Sequence, residues 1–134
     1  MKLFLDVNVV LDVLGKRQPF YKSSARVLSL AVEGRAEAFL AAHTVTTIFY
    51  LMQKYFGRMR AHAVLLDLLN LIKVVAVDEE ILKEALSLNW KDYEDAVQAV
   101  AAIKSKCTHL ITRNVRDFSS LTLKVMTPEE FLGP

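Results

Sequence analysis

With one cysteine, four glycines and three prolines in 134 residues, the sequence excludes several kinds of protein at once. A lone Cys107 forms no internal disulfide framework, and its apolar neighbours make it a small core residue rather than a nucleophile. No Gly/Ser linker, repeat or low-complexity tract divides the chain, so residues 1–134 are expected to form one domain around one core. No apolar run approaches the roughly 18 residues of a membrane span, and the N-terminus has no secretory cleavage pattern. A soluble, cytoplasmic protein is therefore expected. Excess charge is missing too, since 17 Lys and Arg against 15 Asp and Glu leave only +2. A protein that coats nucleic acid by charge alone carries far more, so any such contact must be local. His43, His62 and His109 lack ligand spacing and receive no role.

What the chain does have is apolar patterning, with 53% hydrophobic residues. Lys2–Leu5 reads as a buried strand, Val9–Leu14 as a short helix ended by Gly15, and Phe20–Val32 as a helix begun by Pro19 and closed by Gly34. Ala38–Ala41 reads as a second strand, Thr44–Tyr55 as a helix stopped by Gly57, and Ala61–Ile72 as another helix. Val74–Val77 follows as a strand, then Glu79–Leu88 as an amphipathic helix behind Asp78 as cap. Asp92–Lys106, His109–Thr112 and Lys124–Met126 complete the order as helix, strand and strand. Strands alternating with helices predict an α/β fold: three layers, with a central, mostly parallel sheet covered on both faces.

Three acidic clusters sit at matching places in that order. Asp6, in Leu3-Phe4-Leu5-Asp6-Val7-Asn8, ends a buried strand, where open α/β sheets bind ligands. Asp92-Tyr93-Glu94-Asp95 opens a helix, and Asp117 follows the His109–Thr112 strand. Ordinary roles exist for each. Asp6 or Asn8 could cap the first helix, Asp92 could cap its own through an Asp-x-x-acid arrangement, and Asp117 could be a loop residue. Helical spacing puts Asp92 and Asp95 on one face and turns Glu94 to solvent. Asp95 is followed on its face by Ala99 and Ala102, so its carboxylate lies where a buried stripe begins, and the helix N-terminus is expected to favour its ionised form. Carboxylates gathered without Cys or His suit a hard, oxygen-preferring cation, Mg²⁺ or Mn²⁺. Such ions commonly serve phosphoryl chemistry.

These segments resemble the PIN domain family of small metal-dependent ribonucleases, which includes the VapC-like toxins of toxin–antitoxin pairs. Phe4-Leu5-Asp6-Val7-Asn8-Val9-Val10-Leu11 matches the opening motif, Asp95-Ala96 with its Ala-rich helix the third, and Thr112-Arg113-Asn114-Val115-Arg116-Asp117-Phe118 the last. The resemblance spans essentially the whole chain. It implies a Mg²⁺ or Mn²⁺ site from Asp6, Asp95 and Asp117, with Asn8 and Asn114 in support, and RNA as substrate. Arg113 and Arg116 flank that site and are the expected contacts to the RNA backbone. The second motif departs from the pattern: in Thr44-Val45-Thr46-Thr47-Ile48, Thr47 stands where an acid is usual. Thr47 either holds a water of the ion or caps its helix, and Asp92 could supply the missing carboxylate.

Phe49, Tyr50, Tyr55 and Phe56, followed by the nearly all-apolar Ala61–Ile72 segment, offer more apolar surface than one small core needs. The resemblance implies two uses for it, a homodimer and the docking of an antitoxin protein. Two other readings remain. Asp6-Val7-Asn8 also resembles the nucleophile loop of haloacid dehalogenase-like phosphatases, although Asn8 is a poor general acid there and no lysine motif completes the set. The chain could alternatively be a PIN-like binding module whose catalysis went with the acid absent at Thr47.

Overall fold

In a computed structural model, which describes residues 1–118 and 121–134, five strands form one sheet in the order β3-β2-β1-β4-β5, all parallel. The strands are β1 (Lys2–Leu5), β2 (Glu37–Ala41), β3 (Lys73–Val75), β4 (His109–Ile111) and β5 (Lys124–Met126). The helices are α1 (Val7–Leu14), α2 (Tyr21–Val32), α3 (Ala42–Phe56), α4 (Arg58–Leu71), α5 (Glu79–Ser87), α6 (Tyr93–Lys104) and α7 (Pro128–Leu132), with a 3₁₀ turn at Val115–Phe118.

The central strands are short and buried on both sides, which is why they read as unbroken apolar runs rather than as alternations. Leu3 and Leu5 of β1 pack with Leu40 of β2 against α1 to α4, in a core that takes in Val9, Val10, Ile48, Met52, Leu65 and Leu68. Phe4 points the other way and packs with Phe39, Leu110 and Phe118 against Ala99, Ala101 and Ala102 of α6. Those alanines let α6 approach the sheet closely, and α5 packs on α6 through Ile81, Ala85, Val97 and Val100. The three-layer arrangement expected from the sequence is present. Among the described residues no helix is long and apolar enough to cross a membrane.

Several boundaries differ from the sequence reading for local reasons. α1 begins at Val7 and α3 at Ala42, each directly after the last strand residue or one residue later, so Thr44 and Thr47 lie inside α3 and its N-cap position is Ala41. Thr47 is therefore not a cap. Its hydroxyl donates to the His43 carbonyl at 3.2 Å within the same helix. α4 starts three residues early because Gly57, at φ +86°, turns the chain sharply enough for the helices to follow one another without a loop. Two elements escaped the sequence reading. One is the 3₁₀ turn. The other is α7, although Thr127-Pro128-Glu129-Glu130 carries a complete capping box, with Thr127 accepting from the Glu130 N–H at 3.1 Å and Glu130 accepting from the Thr127 N–H at 3.0 Å.

Leu40 is fully buried in the middle of β2. Leu40→Ala is expected to remove about 2 to 5 kcal/mol of stability, read as a lower denaturant midpoint with an unchanged slope. A loss well under 1 kcal/mol would show that this core relaxes around the cavity.

Candidate active site

Strand polarity places the site. β1 and β4 are neighbours, so the residues after Leu5 and Ile111 emerge side by side, and the Asp6 N–H donates to the Ile111 carbonyl at 3.0 Å. Because α6 precedes the parallel strand β4, it runs back across the sheet and its first turn lies at this same edge. Asn89, with φ +54°, helps make the turn from α5 into α6 tight.

Asp6 is only 3% exposed. It occupies the N-cap position of α1 but makes no capping bond there. Its oxygens are held from across the molecule instead: Thr112 Oγ1 donates to Oδ2 at 2.8 Å and Gln98 Nε2 donates to Oδ1 at 3.2 Å. Asp92, by contrast, is the N-cap of α6, accepting from the Asp95 N–H at 3.1 Å. Glu94 is exposed, as its spacing required. Asp95 is half-buried, and its carboxyl is pushed up to about 7 by burial first, then by the charges of Asp92, Asp6, Asp117 and Glu94. That reverses the expectation that the helix N-terminus would keep Asp95 ionised; desolvation and four like charges outweigh the helix dipole. Charges from all three acidic clusters of the sequence thus reach Asp95.

Asp92, Asp95 and Asp117 line a cavity of about 720 Å³ together with Trp90, Lys91, Tyr93 and Arg116. Asn114 holds the loop through its backbone, its N–H donating to Thr112 Oγ1 at 3.0 Å and its carbonyl accepting from the Asp117 N–H at 3.0 Å. Asn8 is half-buried and accepts a long hydrogen bond from Arg17 at 3.5 Å. Arg113 is engaged elsewhere: its Nε lies 3.0 Å from the Asp12 carboxylate, paired by charge without the alignment of a hydrogen bond, and its guanidinium stacks 4.0 Å from the centre of the Phe20 ring. Of the two arginines expected to face RNA, Arg116 is the one in the cavity wall.

Three contributors were missed from sequence. Gln98 lies one turn beyond Asp95, a spacing that could have flagged it. Thr112 was quoted in a motif but given no function. Asp12 is a carboxylate inside the apolar stretch Val9-Val10-Leu11-Asp12-Val13-Leu14, which itself called for a partner. It is wholly buried, and burial raises its pKa although Arg113 and Arg17 pull it down.

The donor set suits a hard cation. Carboxylates repel around Asp95, and the buried Oε1 of Gln98, on the amide that holds Asp6, has no hydrogen-bond partner among the described residues. Among the described residues no three Asp, Glu, His or Cys side chains already stand in ligating geometry. Mg²⁺ needs no such cage, because it takes one or two carboxylates and fills its remaining positions with water and phosphate oxygens.

A family model described as "PIN domain" matches residues 2–116. The chain belongs to the PIN domain family. It is 27% identical over 135 residues to the curated protein Ribonuclease VapC1 of Aquifex aeolicus, covering 97% of this chain and 92% of that one. The same fold occurs in a toxin–antitoxin complex from Klebsiella pneumoniae, with TM-score 0.72 and 20% identity over 95% of this chain and 98% of that one. It also occurs in the sarcin-ricin loop cleaving toxin VapC20 of Mycobacterium tuberculosis, with TM-score 0.70 and 14% identity over 90% and 95% of the two chains.

In an unfolded chain Asp95 titrates near its ordinary value of 3.8, whereas in the folded, metal-free protein it holds its proton to about 7. Between those values the folded state binds the extra proton, so rising pH costs stability, and the loss is complete above the folded value. Asp95→Asn is therefore expected to be more stable than the parent at pH 8 in EDTA, with the advantage shrinking through pH 7 to 4 and gone below. Thermal melts across that range check this, and parallel pH profiles for the two proteins would contradict it.

Proposed function

We propose that this protein is a Mg²⁺- or Mn²⁺-dependent endoribonuclease acting as the toxin of a toxin–antitoxin pair. The observation that carries the reading is Asp95: a half-buried carboxylate crowded by Asp92, Asp6 and Asp117 with no basic partner among the described residues, a charge deficit that a divalent cation would fill. Membership of the PIN family, the likeness to a curated ribonuclease and a fold shared with toxin–antitoxin complexes support it.

Asp6, Asp95 and Asp117 are the residues that would hold the ion, directly or through its waters. When bound, a divalent cation supplies an acidified water and a counter-charge for the phosphate being cleaved. Thr112 and Gln98 fix both oxygens of Asp6, so that carboxylate is already oriented before substrate arrives. This double anchoring suits a ligand better than the attacking group of a haloacid dehalogenase-like phosphatase. Asp95 would have to give up its proton to hold the cation, so cation affinity would rise with pH through the neutral range. Arg116 and Lys91, both exposed at the cavity, supply positive charge for the RNA backbone. Asn8, Asn114, Asp92 and Thr47 are the proposed supporting residues.

The partner surface lies on α3 and α4. Tyr50, Tyr55, Phe56, Met59, Leu66 and Leu69 are exposed there, Met59 at 86%, so the apolar excess noted in the sequence is not consumed by the chain's own core. A homodimer and an antitoxin segment are its proposed occupants. At micromolar concentration the purified protein is expected to sediment as a dimer, and Leu66→Glu to shift it toward monomer with its circular dichroism intact. A monomeric parent protein would remove the homodimer.

Asp6→Asn is expected to lower RNA cleavage in Mg²⁺ or Mn²⁺ by on the order of a hundredfold or more, the scale of losing one preorganised electrostatic group. Thr47→Glu, restoring the usual acid, is expected to reduce the Mn²⁺ concentration needed for half-maximal cleavage. Nuclease-free wild-type protein that cleaves no RNA at any ion concentration, with Asp6→Asn changing neither ion nor RNA binding, would leave a PIN-like binding module.

A further inference from the structure

Two aromatic rings in the cavity wall have no part in holding a cation. Trp90 is half-buried, and its ring packs edge-to-face against the buried Phe118, with centroids 6.0 Å apart and planes at 76°. Tyr93 is 42% exposed, yet its hydroxyl donates to the Leu82 carbonyl at 2.9 Å, so this ring is tied down as well. An exposed aromatic that is fixed at both ends loses little side-chain entropy when something stacks on it. Both rings share the cavity with the carboxylates, and Lys91 and Arg116 bring the positive charge that a polyanion needs to approach so acidic a floor. Aromatic faces beside paired cations form the usual platform for an unpaired nucleobase, whose π-face stays hidden within a duplex.

The geometry points to a nucleobase subsite formed by Trp90 and Tyr93, in which an unpaired base of the RNA stacks while its adjoining phosphate lies over the carboxylates. This assignment rests on the ribonuclease reading above, and it makes Trp90 a residue that selects unpaired over paired RNA. A purely structural role for Trp90, packing Phe118, is the competing account, and it leaves Trp90 blind to the base.

Trp90 is the chain's one tryptophan, so its emission reports directly on the subsite. The parent protein is titrated in Ca²⁺ with a short single-stranded oligoadenylate, with an abasic ribose-phosphate oligomer of equal length and with a duplex, each checked afterwards for intactness. The oligoadenylate is expected to quench the emission. The abasic oligomer and the duplex are expected to leave it unchanged and to bind more weakly, the abasic one by on the order of tenfold. Trp90→Phe should keep most of the affinity for oligoadenylate and Trp90→Ala should lose on the order of tenfold. The parent's emission decides the matter should Trp90→Ala fold poorly. Equal binding of all three oligomers with no quenching would overturn the subsite. Cleavage of labelled RNA in Mg²⁺ is followed separately: quenching without cleavage keeps the subsite and removes the ribonuclease, whereas cleavage without quenching, at a KM unchanged by Trp90→Ala, does the reverse.

Discussion

A carboxylate as buried as Asp6 survives at the end of a central strand only where hydrogen-bond donors replace the water it has lost. Thr112, just past β4, and Gln98, on α6, provide them. These two bonds reach across 106 and 92 residues of chain and fasten β1, β4 and α6 at one point. The loop after β4 is built outward from the same anchor, since Thr112 Oγ1 also accepts from the Asn114 N–H, and the Asn114 carbonyl accepts from Asp117. The position of Asp117 thus depends on the bond that holds Asp6.

The structure treats its two other sheltered acids in opposite ways, and the contrast separates scaffold from site. Asp12 is fully buried but has Arg113 at 3.0 Å and Arg17 at 3.8 Å, and Phe20 lies against the first of these guanidinium groups. That is how a buried charge is made tolerable for structural ends. Asp95 has no such partner and is surrounded by more carboxylates, so it carries its proton up to about 7. A group left in that condition is held there by the fold against its own solvation. Arg113 follows from the same comparison. Its sequence position beside the last motif suggested RNA, but the need to neutralise Asp12 claims it.

The fold divides its surfaces accordingly. The C-terminal edge of the sheet carries charge and aromatic rings around one cavity, while α3 and α4 carry an apolar face that the short sheet is too small to cover. α3 and α4, joined through Gly57 with no intervening loop, pack against one another, and both carry exposed apolar side chains. The proposed substrate site and the proposed partner surface therefore lie on different elements.

The sequence by itself determined the element order, the parallel sheet and the identity of the acids, because these follow from local pattern: apolar runs too uniform for a half-exposed strand, helix-spaced alanines behind Asp95, and charge where apolar runs stop. It also held signals that went unread, among them the Thr127 to Glu130 capping box and the acid set inside the apolar stretch of α1. Only tertiary structure decided which polar groups meet. Gln98 and Thr112 become partners of Asp6, Arg113 is taken by Asp12 rather than left to RNA, and the protonation of Asp95 reverses what its place at a helix N-terminus suggested. Each of these outcomes depends on burial and on groups distant in sequence, to which Asp95 adds the nearby charges of Asp92 and Glu94, and the burial arises only when the strands pair and the helices close over them.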